Sequence, residues 1–274
     1  MYPMRMRSII ILLCLATTLV SCGEYQRVLK ETDISKKYKL ADSLFEQGKY
    51  RKSLRLYEQV VPAYRGMPQA ERVQFLYATN LYKMKDYYSA SYNYERFAAS
   101  YPDNDSADVA AFRSVESYYK LSPRYTLDQE DTKTALDKLQ KFLTDYPNSK
   151  YHDKANEMSA ELQGKLQLKE FKVANQYLRI MDYKAAIAAF NNFIKAYPGS
   201  YLQEEAYVKR IEAAYLLAKH SVPDLIPERL KKSKDYYNDY KKHFRDSEFH
   251  EDADELLSKI EAEEKELETE KATS

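Results

Sequence analysis

The chain has 274 residues, with 43 Lys+Arg against 42 Asp+Glu, 27 Tyr, 10 Phe, no Trp, five Gly and two Cys. Charge this evenly balanced does not supply the clustered positive surface that sequence-independent nucleic-acid binding relies on, so no nucleic-acid partner is expected. Five Gly are too few for repeated tight hairpins, and the composition points to an all-α chain with one long core or two small ones.

Arg5 and Arg7 precede an apolar run from Ile9 to Val20, and no acidic residue occurs before Cys22. A positive start, an apolar core of about 7–15 residues and a small-residue cleavage point read as a secretory signal over residues 1–21. The run is shorter than the roughly 20 apolar residues of a spanning helix. Leu19-Val20-Ser21-Cys22 resembles the bacterial lipobox. That resemblance implies a mature chain beginning at Cys22, with a diacylglyceryl and an N-acyl group on it, held on the membrane by lipid. Cys14 falls in the removed segment, so neither a disulfide nor a Cys-based metal site is expected. In similar enterobacterial lipoproteins an Asp after the Cys favours the inner membrane. Gly23 here implies the outer membrane, with the folded part in the periplasm. The mature chain holds 41 basic and 42 acidic residues.

Residues 22–34 read as a lipidated linker, and a repeat follows it. Tyr87, Ala90, Tyr94, Phe97, Tyr101 and Pro102 recur at the same offsets as Tyr183, Ala186, Phe190, Phe193, Tyr197 and Pro198. Thr132, Ala135, Leu139, Phe142, Tyr146 and Pro147 form a third copy. Weaker copies run from Tyr50 through Ser53 and Tyr57 to Tyr64, and from Leu230 through Ser233 and Tyr240 to Phe244. Alternating steps of three and four place these residues on one helical face, and the proline ends the helix. Asp103-Asn104, Asn148-Ser149 and Gly199-Ser200 are then expected to supply turn and N-cap chemistry. Ala41, Ala78 and Ala174 each lie nine residues before the start of a copy, across a short turn, which predicts an antiparallel partner helix.

Small residue, short turn, Tyr, Ala, aromatic and Pro together resemble the tetratricopeptide repeat. The expected fold is an all-α, right-handed α-solenoid of about five such helix pairs with a C-terminal helical extension. Repeats one to three occupy residues 35–147 and repeats four and five residues 148–247. Arg65 and Arg245 replace the proline in the first and fifth copies, and the spacings of 37, 45, 51 and 47 residues exceed the usual length.

A lipidated Cys, then Tyr25-Gln26-Arg27-Val28-Leu29-Lys30, then five long repeats resembles the BamD family, in a Tyr-rich form similar to that of Bacteroidetes. Phe171-Lys172-Val173-Ala174 and Tyr197-Pro198-Gly199-Ser200 add to the resemblance. It implies a non-enzymatic scaffold of the outer-membrane β-barrel assembly machinery. Such proteins bind periplasmic domains of BamA-type proteins, alongside other subunits, through their C-terminal repeats. They are thought to receive the targeting strands of unfolded outer-membrane proteins at their N-terminal repeats. Two other readings share the anchor and the repeats: an adaptor for cell-wall synthesis or division, and a surface glycan-binding lipoprotein.

No catalytic chemistry is legible. The five Gly are too far apart for a phosphate-binding loop, and no Gly-x-Ser-x-Gly elbow occurs. His250-Glu251 opens like a zinc-protease motif, but position 254 is Asp; His243, His250 and Asp254 read as a solvated acidic helix rather than metal ligands. No metal and no cofactor beyond the lipid on Cys22 are expected. The basic stretch Arg229 to Arg245 and the acidic residues 248–274 read as a solvated face and a frayed capping helix, or as a charged docking surface. In the first helices, Tyr38, Phe75 and Phe112 are spaced by 37, as are Phe45, Tyr82 and Tyr119. These six form a candidate peptide groove, with inter-repeat packing as the alternative.

Overall fold

The computed structural model describes residues 23–273. The lipidation assigned to Cys22 and the signal segment lie outside the described residues. Residues 23–30 form α1. It is followed by α2 (Ile34–Glu46), α3 (Tyr50–Ala63), α4 (Ala70–Lys83), α5 (Tyr87–Ser100), α6 (Ala107–Leu121) and α7 (Glu130–Asp145). Then come α8 (His152–Arg179), α9 (Tyr183–Ala196), α10 (Gln203–Lys219), a 3-10 turn (Pro223–Leu225), α11 (Ile226–His243) and α12 (His250–Thr273). No strand occurs among the described residues. The architecture is the all-α helix-pair solenoid of tetratricopeptide type, with α12 as a C-terminal extension.

The chain forms two compact units. The first runs to residue 123 and resumes over 130–159; the second takes 124–129 and everything from 160 onward. In the first unit α2 pairs with α3, α4 with α5 and α6 with α7. In the second, α9, α10 and α11 pack in sequence and α12 lies on α10 and α11.

One local device makes the hairpins. At the three shortest turns the second residue after the first helix takes a left-handed conformation: Gly48 (φ 71), Lys85 (φ 63) and Met181 (φ 63). The following amide then reaches back five residues, Lys49 to Leu44 (2.8 Å), Asp86 to Leu81 (3.0 Å) and Asp182 to Tyr177 (3.0 Å). This satisfies helix-end carbonyls that would otherwise be orphaned. Asp86 and Asp182 next cap α5 and α9, accepting from the amides of Ser89 and Ala185.

The small residues sit where the helices cross. Ala41, Ser53, Ala78, Ala90, Ala135, Ala174, Ala186 and Ser233 have no exposed surface. The first copy uses Ser53 where the second to fourth use Ala, and its hydroxyl donates to the Ala41 carbonyl at 2.8 Å. A buried hydroxyl is tolerated there because it is hydrogen-bonded.

Helix ends follow the proline pattern: α5, α7 and α9 each stop two residues before Pro102, Pro147 and Pro198. The turn chemistry departs in one respect. Asn104, Ser149 and Ser200 accept from the amides of Ser106, Tyr151 and Leu202, two residues on. They therefore organise the turn but do not cap the next helix, which starts one residue later still.

Candidate functional site

The six aromatics marked in the first helices all lie in the first unit, on α2, α4 and α6. Phe112 is 4% exposed, stacked on Tyr151 at 4.2 Å and tilted against Phe142 at 5.8 Å. Its ring fills the interior and offers no surface. Phe75 is half-buried, edge-on to Phe97 at 5.3 Å and Tyr94 at 5.8 Å. Phe171, the corresponding ring of the second unit, is buried against Phe190 and Phe193. This position therefore carries a packing contact wherever it recurs, and at Phe75 it also leaves a surface. Tyr38 is half-buried, 5.4 Å from Tyr64.

The second series sits one turn from the hairpin. Phe45 meets Tyr50 at 5.5 Å and 66°, and Tyr82 meets Tyr87 at 5.5 Å and 68°, the same edge-on contact made twice. Tyr82 and Tyr119 are half-buried. Burial first, and the Glu116 carboxylate second, hold the Tyr82 phenol well above its ordinary value, so it stays a neutral donor at any physiological pH.

Two arginines join these rings, and the aromatic spacing gave no sign of them. Arg72 donates Nε to the Tyr38 hydroxyl at 2.9 Å and Nη2 to Asp42 at 3.0 Å. Hydrogen bonds to Asp42 and Tyr38 push its pKa up, so the guanidinium is permanently charged. It lines a cleft of about 410 Å³ with Phe75, Leu76, Phe97 and Glu71. Arg113 lies over the Tyr82 ring at 5.4 Å and bonds Glu116. This face can therefore accept apolar groups against ring edges and anionic or carbonyl groups at exposed guanidinium donors.

Another recurrent pattern was not legible in the sequence. Three residues of the inter-repeat turns reach back to an acid in the first turn of an earlier helix: Asn104 to Glu71 (2.5 Å), Ser149 to Asp108 (2.6 Å) and Ser247 to Glu204 (2.6 Å). The separations of 33, 41 and 43 residues vary with loop length, which hides the pairing from a fixed-period search.

In the second unit the basic and acidic stretches meet each other. Lys234 pairs with Glu261 and Glu264, Lys219 with Glu263 and Lys241 with Asp254. Tyr237 donates to Asp254 at 2.7 Å; burial first, then that carboxylate, pushes its phenol up to about 12. Ala253, Leu256 and Ile260 of α12 are buried in the same cluster as Ile211, Leu230 and Tyr240. α12 is thus a packed cap on the last repeat. His250 has both ring nitrogens engaged, with the Tyr240 hydroxyl and the Arg245 carbonyl, while His243 faces Asp239. Among the described residues no group of His, Cys, Asp and Glu is arranged to hold a metal. Among them, too, no helix is long and apolar enough to cross a membrane.

Residues 30–230 match the YfiO family, described as "Outer membrane lipoprotein". The chain is similar to the outer membrane protein assembly factor BamD of Rickettsia prowazekii, 24% identical over 177 residues, which covers 65% of this chain and 70% of that one. BamD of Haemophilus influenzae is 20% identical over 218 residues, covering 72% and 82%. BamD of Caulobacter vibrioides is 28% identical over 132 residues, covering 48% and 43%. The match runs from the end of the linker through the repeats as far as the start of α11, and the chain belongs to the BamD (YfiO) family of outer-membrane lipoproteins.

Proposed function

We propose that the chain is a non-enzymatic scaffold of the outer-membrane β-barrel assembly machinery, anchored through lipid on Cys22. Its C-terminal repeats, residues 148–247, bind the periplasmic domains of a BamA-type protein. Its N-terminal repeats, residues 35–147, receive the targeting strands of unfolded outer-membrane proteins. The family match favours this reading over the cell-wall and glycan-binding alternatives.

The observation that carries the strand-receiving half is the half-buried row of Tyr38, Phe75 and Tyr82 interleaved with Arg72 and Arg113. An extended strand presents alternate side chains to such a row, and its own carbonyls and carboxylate can meet the guanidinium groups. Phe112, buried against Tyr151 and Phe142, offers the row no surface. Tyr119 and Phe45 extend it towards the hairpin ends.

Tyr82 is the residue to test. Truncating a groove hot spot commonly costs about 2 kcal/mol of binding, which is more than tenfold in affinity. Fluorescence anisotropy with a labelled peptide ending in an aromatic residue should show at least that loss for Tyr82→Ala, with circular dichroism verifying the fold. Unchanged affinity in a folded Tyr82→Ala protein would return the row to a purely packing role.

A further inference from the structure

The second unit has one edge unlike the matching edge of the first. The hairpin tips of the first unit are Gln47-Gly48-Lys49 and Met84-Lys85-Asp86, mostly polar and exposed. The α8–α9 tip instead carries Ile180 (57% exposed) and Met181 (69%), and the α10–α11 connection carries Val222 (61%) and Leu225 (38%). Met181 is also in the left-handed conformation that Gly48 takes without steric cost. A large apolar side chain in water, on a backbone that disfavours it, gains nothing from folding. Single exposed apolar residues are ordinary, but four on one edge are not.

The two tips meet through Tyr183, which stacks on His220 at 5.7 Å and 10°, while Arg229 donates to Ser221 within the α10–α11 connection itself. Between them lies a groove of about 250 Å³ floored by Ile187, Leu217 and Tyr236 and rimmed by Lys184, Arg229 and Lys232, with no acid in its lining. Over residues 179–184 and 219–232 there are six Lys and Arg, of which Lys219 is paired with Glu263, against Asp182, Asp224 and Glu228. Asp182 is occupied in capping α9.

We propose that this edge rests on the membrane surface: Ile180, Met181, Val222 and Leu225 enter the interfacial region, and Lys184, Arg229 and Lys232 meet anionic phospholipid headgroups. Apolar tips beside cations form the pattern of an interfacial contact, and each cation near an anionic surface adds to the attraction. Outer-membrane residence of the family places such a surface within reach. A peripheral contact of this kind would hold the second unit at the bilayer independently of the lipid on Cys22. The inference rests on membrane residence and not on what the repeats bind.

The test uses the mature chain, residues 22–274, carrying Cys22→Ala, so that neither the lipid nor the apolar run Ile9 to Val20 masks the contact. Flotation measures binding to vesicles of phosphatidylethanolamine with phosphatidylglycerol and to vesicles of phosphatidylcholine alone. The expected result is salt-sensitive binding to the anionic vesicles, reduced at least about tenfold by Lys184→Glu/Lys232→Glu and similarly by Met181→Ser/Val222→Ser. Lys49→Glu/Lys85→Glu, at the matching tips of the first unit, should leave it unchanged. All six positions are exposed, and circular dichroism verifies the fold. Absence of binding to anionic vesicles, or equal loss from all three pairs, would overturn the proposal. So would vesicle binding that persists in the first two pairs while binding to a purified BamA-type periplasmic domain falls; the edge would then be a protein contact. Loss of vesicle binding with partner binding intact supports the membrane contact and leaves the scaffold reading untouched.

Discussion

Ala90 and Ala186 occupy the same step of α5 and α9, each without exposed surface, where a neighbouring helix leaves no room for further methylenes. Ala186→Leu should lower stability by about 1–3 kcal/mol through overpacking. Lys184→Leu, on the solvent side of the same helix, should change it little. A thermal melt of both variants separates the two sides of α9, and equal shifts would be inconsistent with the register. Tyr94 adds a pH dependence. Burial is the main cause that pushes its phenol up to about 12, against 10.0 in the unfolded chain. The neutral phenol is the form that folding favours, so its contribution is complete below pH 10 and is lost as pH rises towards 12. Tyr94→Phe should lose about 1 kcal/mol at neutral pH through the bond to Thr79, yet decline less steeply than the parent between pH 10 and 12 in urea titrations. At this scale the small positions were legible because only a small residue fits a close helix crossing. The aromatics were harder. Phe75 and Phe112 share a register position, yet one leaves a surface and the other is sealed by Tyr151, a residue from the next repeat that spacing does not reveal.

Helices and the ends set by proline were largely readable, because the apolar steps and proline act locally, whereas the left-handed turn residues and the Asp86 and Asp182 caps became visible only in the structure. The turn-to-helix latches were not readable either, since Asn104, Ser149 and Ser247 find their acids across loops of unequal length. Ser149→Ala removes the bond to Asp108 and the turn bond to the Tyr151 amide together. It should cost about 1 kcal/mol or slightly more, measured by chemical denaturation, with Lys133→Ala on the exposed face of α7 as a silent control. α12 is the other element whose role depended on tertiary structure. Its charge pattern admitted docking or capping, and its packing on Leu230, Tyr240 and Ile211 makes it a cap. Its ion pairs with α11 are partly exposed and contribute little singly. The buried Ala253, Leu256 and Ile260 carry the attachment. Ending the chain before His250 should therefore expose that cluster, and the truncated protein should bind a hydrophobic dye and aggregate. Lys234→Ala should do neither.

On the scale of the whole molecule, the proposed lipid anchor and the repeats should be separable. Cys22 lies outside every repeat, so Cys22→Ala should leave the helical signal intact and release the protein from membranes, apart from the weaker edge contact inferred above. Quantitative fractionation with mass analysis of the acyl group reads this directly. The exposed face of α11 retains Lys231 and Lys242, eleven residues apart and on one side of the helix. They remain available for an acidic partner surface after α12 has taken Lys234 and Lys241. The most direct test of the scaffold role is calorimetric titration of the soluble Cys22→Ala chain with the purified periplasmic domains of the BamA-type protein from the same organism. The account predicts a saturable complex, weakened about tenfold by Lys231→Glu/Lys242→Glu through lost charge complementarity and unchanged by Tyr82→Ala. Absence of a complex, or one that Tyr82→Ala abolishes while the α11 reversal leaves it intact, would contradict it.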